Sequence, residues 1–248
     1  MLSEFLDYAV IIPARYESSR LPGKPLIDLL GVPMVVRTYR QCVQACPPER
    51  VYVATDDPRI EVVCREQGIN VLMTSAGCLT GTDRVAECAD QLGADVFINV
   101  QGDEPVFNPD DLTAFIGCLA AYPGEVLNGY CSIDSEAMYI SSSTPKVVMR
   151  PDGRLLYMSR SPIPGNKAQM FQRAWRQVCV YAFPRQALVD FASQPRKTPL
   201  EEMEDIEILR FLELGWEVRM VELSSESVAV DNPEDVARAE AEILRRGL

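Results

Sequence analysis

Short apolar runs alternate with longer stretches of helical spacing along most of the chain. Residues 8–12 form an apolar run of strand type, and residues 34–45 place Val35, Val36, Tyr39 and Val43 on one face of a helix. Residues 51–55 predict a second strand, after which Asp56-Asp57-Pro58 signals a helix start. The helix expected at 60–67 stops at Gly68, and 70–73 is a third strand. Gly81-Thr82-Asp83 opens a helix expected to run to Leu92 and end at Gly93. A strand at 95–100 leads into the loop Gln101-Gly102-Asp103-Glu104-Pro105, and Pro109-Asp110-Asp111 begins a helix reaching about Ala121.

Strands that alternate with helices predict βαβ units, hence an α/β fold with a Rossmann-like, mainly parallel sheet flanked by helices. Ligands of such sheets bind beyond the carboxyl ends of the strands, which gathers the loops at 13–24, 55–57, 74–84 and 101–105 onto one rim. From 127 to 181 the pattern becomes more strand-like, with 146–149, 155–158 and 178–183 as candidate strands. This stretch is expected to be an extension for substrate contact or dimerisation. Residues 201–214 read as one acidic helix ended by Gly215, 218–223 as a strand and 233–246 as a closing helix.

Composition narrows the function classes. In 248 residues, 47% apolar content is enough for a substantial core, and the net charge of −12 argues against a nucleic-acid backbone or an anionic membrane as main partner. No apolar run approaches the roughly 20 residues of a membrane span, and the N-terminal residues lack a basic region followed by an apolar one, so a cytoplasmic location is expected. Eight cysteines include no C-x-x-C pair, and there is no histidine. A common zinc site or a disulfide framework is therefore not expected, and Cys42, Cys64, Cys88, Cys118 and Cys179 fit apolar patterns as small core residues. Without imidazole, Ser-His-Asp and Cys-His machinery is excluded.

Basic residues are concentrated where the acidic whole would least predict them. Arg15, Arg20 and Lys24, with Ser18, Ser19 and the turn Pro22-Gly23, follow the first strand and suit an anion of several charges, above all a nucleotide triphosphate. This is not a Walker A loop, because the leading glycine and the Ser/Thr after the lysine are absent.

Five segments together carry a resemblance. Ile11-Ile12-Pro13-Ala14-Arg15-Tyr16 through Pro25-Leu26, Ala54-Thr55-Asp56-Asp57, Gly81-Thr82-Asp83-Arg84, residues 99–105 and Val230-Asp231-Asn232-Pro233-Glu234-Asp235 resemble the 3-deoxy-manno-octulosonate cytidylyltransferases (CMP-Kdo synthetases) in order and spacing. The resemblance implies a homodimeric, Mg²⁺-dependent nucleotidyltransferase that joins CTP to the anomeric 2-hydroxyl of Kdo and releases pyrophosphate, its product feeding lipopolysaccharide assembly. It divides the single domain into a CTP-binding half (1–126), an extension (127–190) and a C-terminal part completing the sugar and metal site (191–248). By resemblance, Arg15 and Lys24 contact the CTP phosphates, with Pro13, Ala14, Ser19 and Arg20 around them. Thr74, Thr80, Gly81 and Arg84 border the cytidine, where a helix start also offers free N–H groups to an anion. A plain Asp83–Arg84 surface pair is the competing reading. Asp103 follows a strand and Asp231 lies far along the chain; brought together, they would supply hard oxygen ligands for Mg²⁺, and the family uses the matching pair so. Asp231 could instead cap the last helix, although Asn232 serves equally well.

The sugar side departs from the family. Gln177 stands where relatives carry His, Cys179 where they carry Gly, Ile208 where a glutamine amide meets the sugar, and residues 77–83 lack a further His. Gln101, Arg160, Tyr181 and Glu207 are retained and, with Gln177, form the expected sugar set; an arginine suits a sugar-acid carboxylate. A different or modified 2-keto-3-deoxy acid as acceptor, and a non-catalytic nucleotide-binding relative, are the alternatives.

Overall fold

The computed structural model describes residues 6–17, 21–168 and 170–248. The elements in chain order are β1 (Tyr8–Pro13), β2 (Asp28–Leu29), β3 (Val32–Pro33), α1 (Met34–Ala45), β4 (Val51–Thr55), α2 (Pro58–Glu66), β5 (Asn70–Met73), α3 (Gly81–Ala89), β6 (Val96–Val100) and α4 (Pro109–Cys118). There follow β7 (Val126–Ser132), α5 (Glu136–Ile140), β8 (Lys146–Met149), β9 (Leu155–Ser159), β10 (Trp175–Pro184), α6 (Arg185–Ala192), α7 (Pro199–Glu204), α8 (Ile208–Glu213), β11 (Val218–Glu222) and α9 (Pro233–Arg246).

The main sheet runs β11-β7-β10-β6-β1-β4-β5. β1 pairs in parallel with β4 and β6, β4 with β5, and β7 with β11, while β10 is antiparallel to both β6 and β7. The sheet is therefore mainly parallel, as the alternation of elements predicts, with β10 as its one reversed strand along that path. Of the 127–190 stretch, β7 and β10 run inside this sheet, and the hairpin β8–β9 branches from the start of β10. β1 and β6 carry unbroken buried runs, because helices cover both faces. One face packs Val10, Ile12, Val35 and Phe115; the other packs Ile11, Phe97, Phe183 and Phe211.

The helix expected to reach about Ala121 ends at Cys118, and two others differ from their sequence pattern where an arginine takes backbone carbonyls. The helix expected at 81–92 ends at Ala89, where the Arg185 guanidinium donates to the carbonyls of Ala89, Leu92 (2.5 Å) and Ala94 (2.6 Å). The acidic helix expected at 201–214 is two helices. Asp205 adopts a left-handed conformation (φ 51°), and Arg160 donates Nε to Glu204 O (2.5 Å) and Nη2 to Asp205 O (2.8 Å), carbonyls that a continuing helix would use. Lys197 holds the Asp205 carboxylate at 2.6 Å. Under this break lies a fully buried pair: Arg210 donates Nε and Nη2 to Glu201 at 2.5 and 2.6 Å.

All eight cysteines are free thiols, and burial pushes Cys46 and Cys78 up to about 11 and Cys64, Cys88 and Cys179 up to about 12. Thiols so far above neutrality are poor nucleophiles, in keeping with packing roles.

Candidate functional site

The carboxyl ends of β6, β1, β4 and β5 lie side by side, so the loops that follow them share one rim. The loop after β1 is closed at its base by Gly23 N–H donating to Tyr16 O (3.0 Å), and Gly23 takes φ 68°, which a side chain would strain. The Arg59 guanidinium covers the Tyr16 ring at 3.3 Å. Ser19 and Arg20 lie outside the described residues. Lys24 opens a short 3₁₀ turn, Lys24–Leu26, and its Nζ donates to Asp103 Oδ2 at 2.6 Å and to Asp231 Oδ1 at 3.0 Å.

This meeting of residues 79 and 207 positions apart has identifiable supports. The loop after β6 presses onto the end of β1 so closely that a Cβ on Gly102 would come within 2.7 Å of Pro13 O. Val230 N–H donates to Asp103 O at 2.9 Å, tying the segment before Asp231 to the same loop. Asn232, not Asp231, stands at the N-cap of α9, and the Asp235 carboxylate accepts from the backbone N–H of both Asp231 (3.1 Å) and Asn232 (3.0 Å). The Asp231 side chain thus faces Lys24 instead of capping the helix.

The electrostatics follow from the grouping. Burial disfavours the Lys24 charge, but the Asp103 and Asp231 carboxylates outweigh it and hold its pKa above the ordinary lysine value. Glu104 is enclosed beside them, and burial, reinforced by Asp103, pushes its carboxyl up to about 7 while the Ser227 hydroxyl that donates to it works the other way. Among the described residues no three His, Cys, Asp or Glu side chains are grouped to hold a metal by themselves. Asp103 and Asp231 are nevertheless a hard-oxygen pair that already shares one cationic group. With side chains 27% and 41% exposed, they leave room for water. That donor set fits Mg²⁺, which uses one or two carboxylates together with phosphate oxygens and water.

At the start of α3, Thr80 is the N-cap in a capping box with Asp83. Arg84 is buried (3%), donates to the Thr74 hydroxyl and lies 3.3 Å from Asp56 Oδ1, while Asp83 faces Arg210 at 3.3 Å. Asp83 and Arg84 therefore each serve other partners, and Arg84 ties the end of β4 to the end of β5. The free N–H groups expected at this helix start are already taken. The Glu207 carboxylate accepts from Gly81 N (3.3 Å), Thr82 N (2.9 Å) and Thr82 Oγ1 (2.5 Å), placing negative charge at the helix N-terminus. Gln101 lies next to Gly81, on which a Cβ would touch its amide at 3.6 Å, and its Nε2 reaches Asn99 Oδ1 at 3.4 Å. Asn99 is fully buried, and its Nδ2 has no hydrogen-bond partner among the described residues.

The other residues singled out from the sequence lie on neighbouring elements. Besides the two carbonyls at the α7–α8 break, Arg160 donates Nη1 to Ser142 O at 3.0 Å. Arg15 is exposed, and its charge, after those of Lys197 and Arg160, contributes to holding the Asp205 carboxyl below its ordinary value. The buried Gln177 donates Nε2 to Asn128 Oδ1 at 2.9 Å, and Asn128 donates to the carbonyls of Val178 and Val180 across a bulge in β10. Tyr181 is buried with its hydroxyl raised well above its usual pKa, first by burial and then by Cys179 and Glu207. Ile208 is packed in the core beneath α8. Sequence reasoning missed Asn128, Asp111 and Ser227; only the distance between chain segments reveals them.

The Cytidylyltransferase family model matches residues 9–222. A 3-deoxy-manno-octulosonate cytidylyltransferase of Escherichia coli is 38% identical over 224 residues, covering 90% of this chain and 91% of that protein. One of Geobacter metallireducens is 40% identical, covering 97% and 99%. The structure of a CMP:2-keto-3-deoxy-manno-octonic acid synthetase complexed with CTP superposes with a TM-score of 0.89 at 36% identity, covering 98% of this chain and 100% of that one. A cytidylyltransferase from Leptospira borgpetersenii, 17% identical with a TM-score of 0.65, shares the fold.

Proposed function

The chain belongs to the family of 3-deoxy-manno-octulosonate cytidylyltransferases, and from that membership we propose that it joins CTP to the anomeric 2-hydroxyl of Kdo, giving CMP-Kdo and pyrophosphate. The observation that carries this reading is the convergence of Lys24, Asp103 and Asp231 on one rim, on a fold shared along its length with a synthetase that binds CTP.

In the reaction, the 2-oxygen of the sugar acid forms a bond to the α-phosphorus as the bond from that phosphorus to the bridging oxygen of the leaving pyrophosphate breaks. The hydroxyl proton passes to a carboxylate or to water, since the chain has no imidazole. Transfer of this kind needs alignment and charge neutralisation more than covalent participation by the protein. Arg15 and Lys24 supply positive charge for the triphosphate, with Pro13 and Ala14 setting the close approach of the loop. Thr74, Thr80 and Gly81 border the base, and Arg84 keeps the strand ends behind them in place. Asp103 and Asp231 would hold Mg²⁺, which when bound neutralises phosphate charge and makes a coordinated hydroxyl more acidic. On the acceptor side we assign direct contact to Gln101, Arg160 and Tyr181. Gln177 and Glu207 support them, the first by fixing Asn128 and the second by fixing the start of α3. The working unit is a homodimer in the cytoplasm. Leu156 of β9 is exposed, as are Ile140 and Met170, which flank the β8–β9 hairpin in sequence.

Pyrophosphate release with CTP, Mg²⁺ and a panel of 2-keto-3-deoxy acids tests the reading. Kdo is expected to give the highest kcat/KM; CTP binding with no release from any acid would overturn it.

A further inference from the structure

The segment 223–232, which delivers Asp231, has no helix or strand of its own. Leu223 N–H donates to Tyr130 O (2.9 Å) and Arg246 Nη2 to Glu226 O (2.6 Å), and between them and Asp231 runs a ladder of contacts spaced three residues apart to the stretch that continues from Asp103 into α4. Ser224 donates its backbone N–H to Asp111 Oδ1 at 2.9 Å and its hydroxyl to Asp111 Oδ2 at 2.6 Å. Ser227 donates its hydroxyl to Glu104 Oε2. Val230 donates its N–H to Asp103 O at 2.9 Å. Val228 and Val230 then pack with Leu29, Met34 and Val106, so the intervening side chains anchor the opposite side.

Two of the three rungs spend a buried carboxylate: Asp111 is 8% exposed and Glu104 is 6% exposed. Burying carboxylates is costly, and an apolar contact would hold a loop as well. What the carboxylates add is direction and register. A hydroxyl accepted by a fixed oxygen sets the segment along the chain, whereas apolar packing lets it slide. Register matters here because one residue of slip would exchange Asp231 for Val230 or Asn232 opposite Lys24.

We propose that Asp111 and Glu104, acting through Ser224 and Ser227, are positioning residues that set the separation of Asp103 and Asp231, and with it the affinity of the carboxylate pair for a divalent cation. This rests on the reading of that pair given above. Neither residue is among those assigned to the nucleotide or the sugar acid; they act through the segment that carries Asp231.

The test is Mn²⁺ binding by the full chain in the presence of CTP, followed by titration calorimetry, with CTP binding without metal and thermal unfolding measured in parallel. Asp111→Ala is expected to weaken Mn²⁺ binding by about tenfold or more, the range for loss of groups that orient metal ligands. Metal-free CTP affinity should change little, since Asp111 is not among the residues assigned to CTP. Asp111→Asn should restore most of the Mn²⁺ affinity, because an amide can accept from Ser224 N–H and donate to Ser224 Oγ in the same geometry. Ser227→Ala, which removes only a hydroxyl, carries the test should Asp111→Ala fail to fold, and is expected to act in the same direction. A lowered melting temperature with unchanged Mn²⁺ affinity in these variants would reduce the ladder to a stability feature. Failure of Asp111→Asn to recover affinity would equally overturn the proposal. If the unmodified chain binds CTP but no Mn²⁺, the metal assignment of Asp103 and Asp231 falls, and the positioning role falls with it.

Discussion

Asp103→Asn is expected to lower kcat for pyrophosphate release by on the order of 10³-fold, about 4 kcal/mol of transition-state stabilisation. CTP affinity measured without Mg²⁺ should change little. The asparagine keeps the size of the side chain and can still accept from Lys24 Nζ, now 2.6 Å from Asp103 Oδ2, so the loop after β6 should keep its place against β1. What is lost is one of two negative charges in a pair whose other member, Asp231, is itself 41% exposed and cannot draw a compact divalent ion out of water alone. Single-turnover kinetics with Kdo and CTP check the rate, and calorimetry checks the nucleotide. Near-normal turnover would show that the proton and the charge are managed elsewhere.

Arg210→Met is expected to lower stability by about 3–5 kcal/mol, the range for stranding one partner of a buried ion pair. For a chain of this length that is a fall in melting temperature of roughly 10 °C. Both Arg210 and Glu201 have side chains fully shielded from solvent, and the guanidinium also reaches Asp83 at 3.3 Å and lies over the Phe191 ring at 3.6 Å. Losing it would leave the Glu201 carboxylate with only its helix-cap contact to Thr198. The double variant Arg210→Met with Glu201→Leu should regain most of the loss, since two apolar side chains can replace a buried pair at little net cost. Thermal denaturation of the single and double variants measures both. If the double variant is no better than the single one, the role of Arg210 lies in its bond to Asp83 at the start of α3.

Local punctuation made much of the fold legible. α1, β4, β5, β8 and α9 emerge where apolar spacing and flanking Pro, Asp or Gly place them, because those signals act within a turn or two. β7 was hidden, since Asn128 and Gly129 interrupt its apolar run. Both are there for tertiary reasons: Asn128 brackets the bulge in β10, and a Cβ on Gly129 would meet Leu223 Cδ1 at 2.6 Å. The division of 201–214 was equally invisible, because the arginine that takes its carbonyls lies some 45 residues earlier. At the site, Lys24, Asp103 and Asp231 could be picked out one by one from their places after a strand or before a helix. Their mutual bonding could not, and neither could the choice of Asn232 over Asp231 as cap, which depends on where Lys24 ends up. Gln177 illustrates the same limit: its amide is committed to Asn128, a partner 49 positions away.

The placement of Asp231 after the last strand has a consequence for the order in which this protein comes into being. A chain emerging from the ribosome folds from its N-terminal side as it lengthens. By the time β11 has emerged, every strand of the sheet is present, together with Lys24 and Asp103, yet the second carboxylate and the segment that seats it are still to come. A chain that stops after β11 therefore has every strand of the described sheet and still lacks Asp231, the second carboxylate beside Lys24. Lys24 gains its second acidic partner only once the segment after β11 is in place.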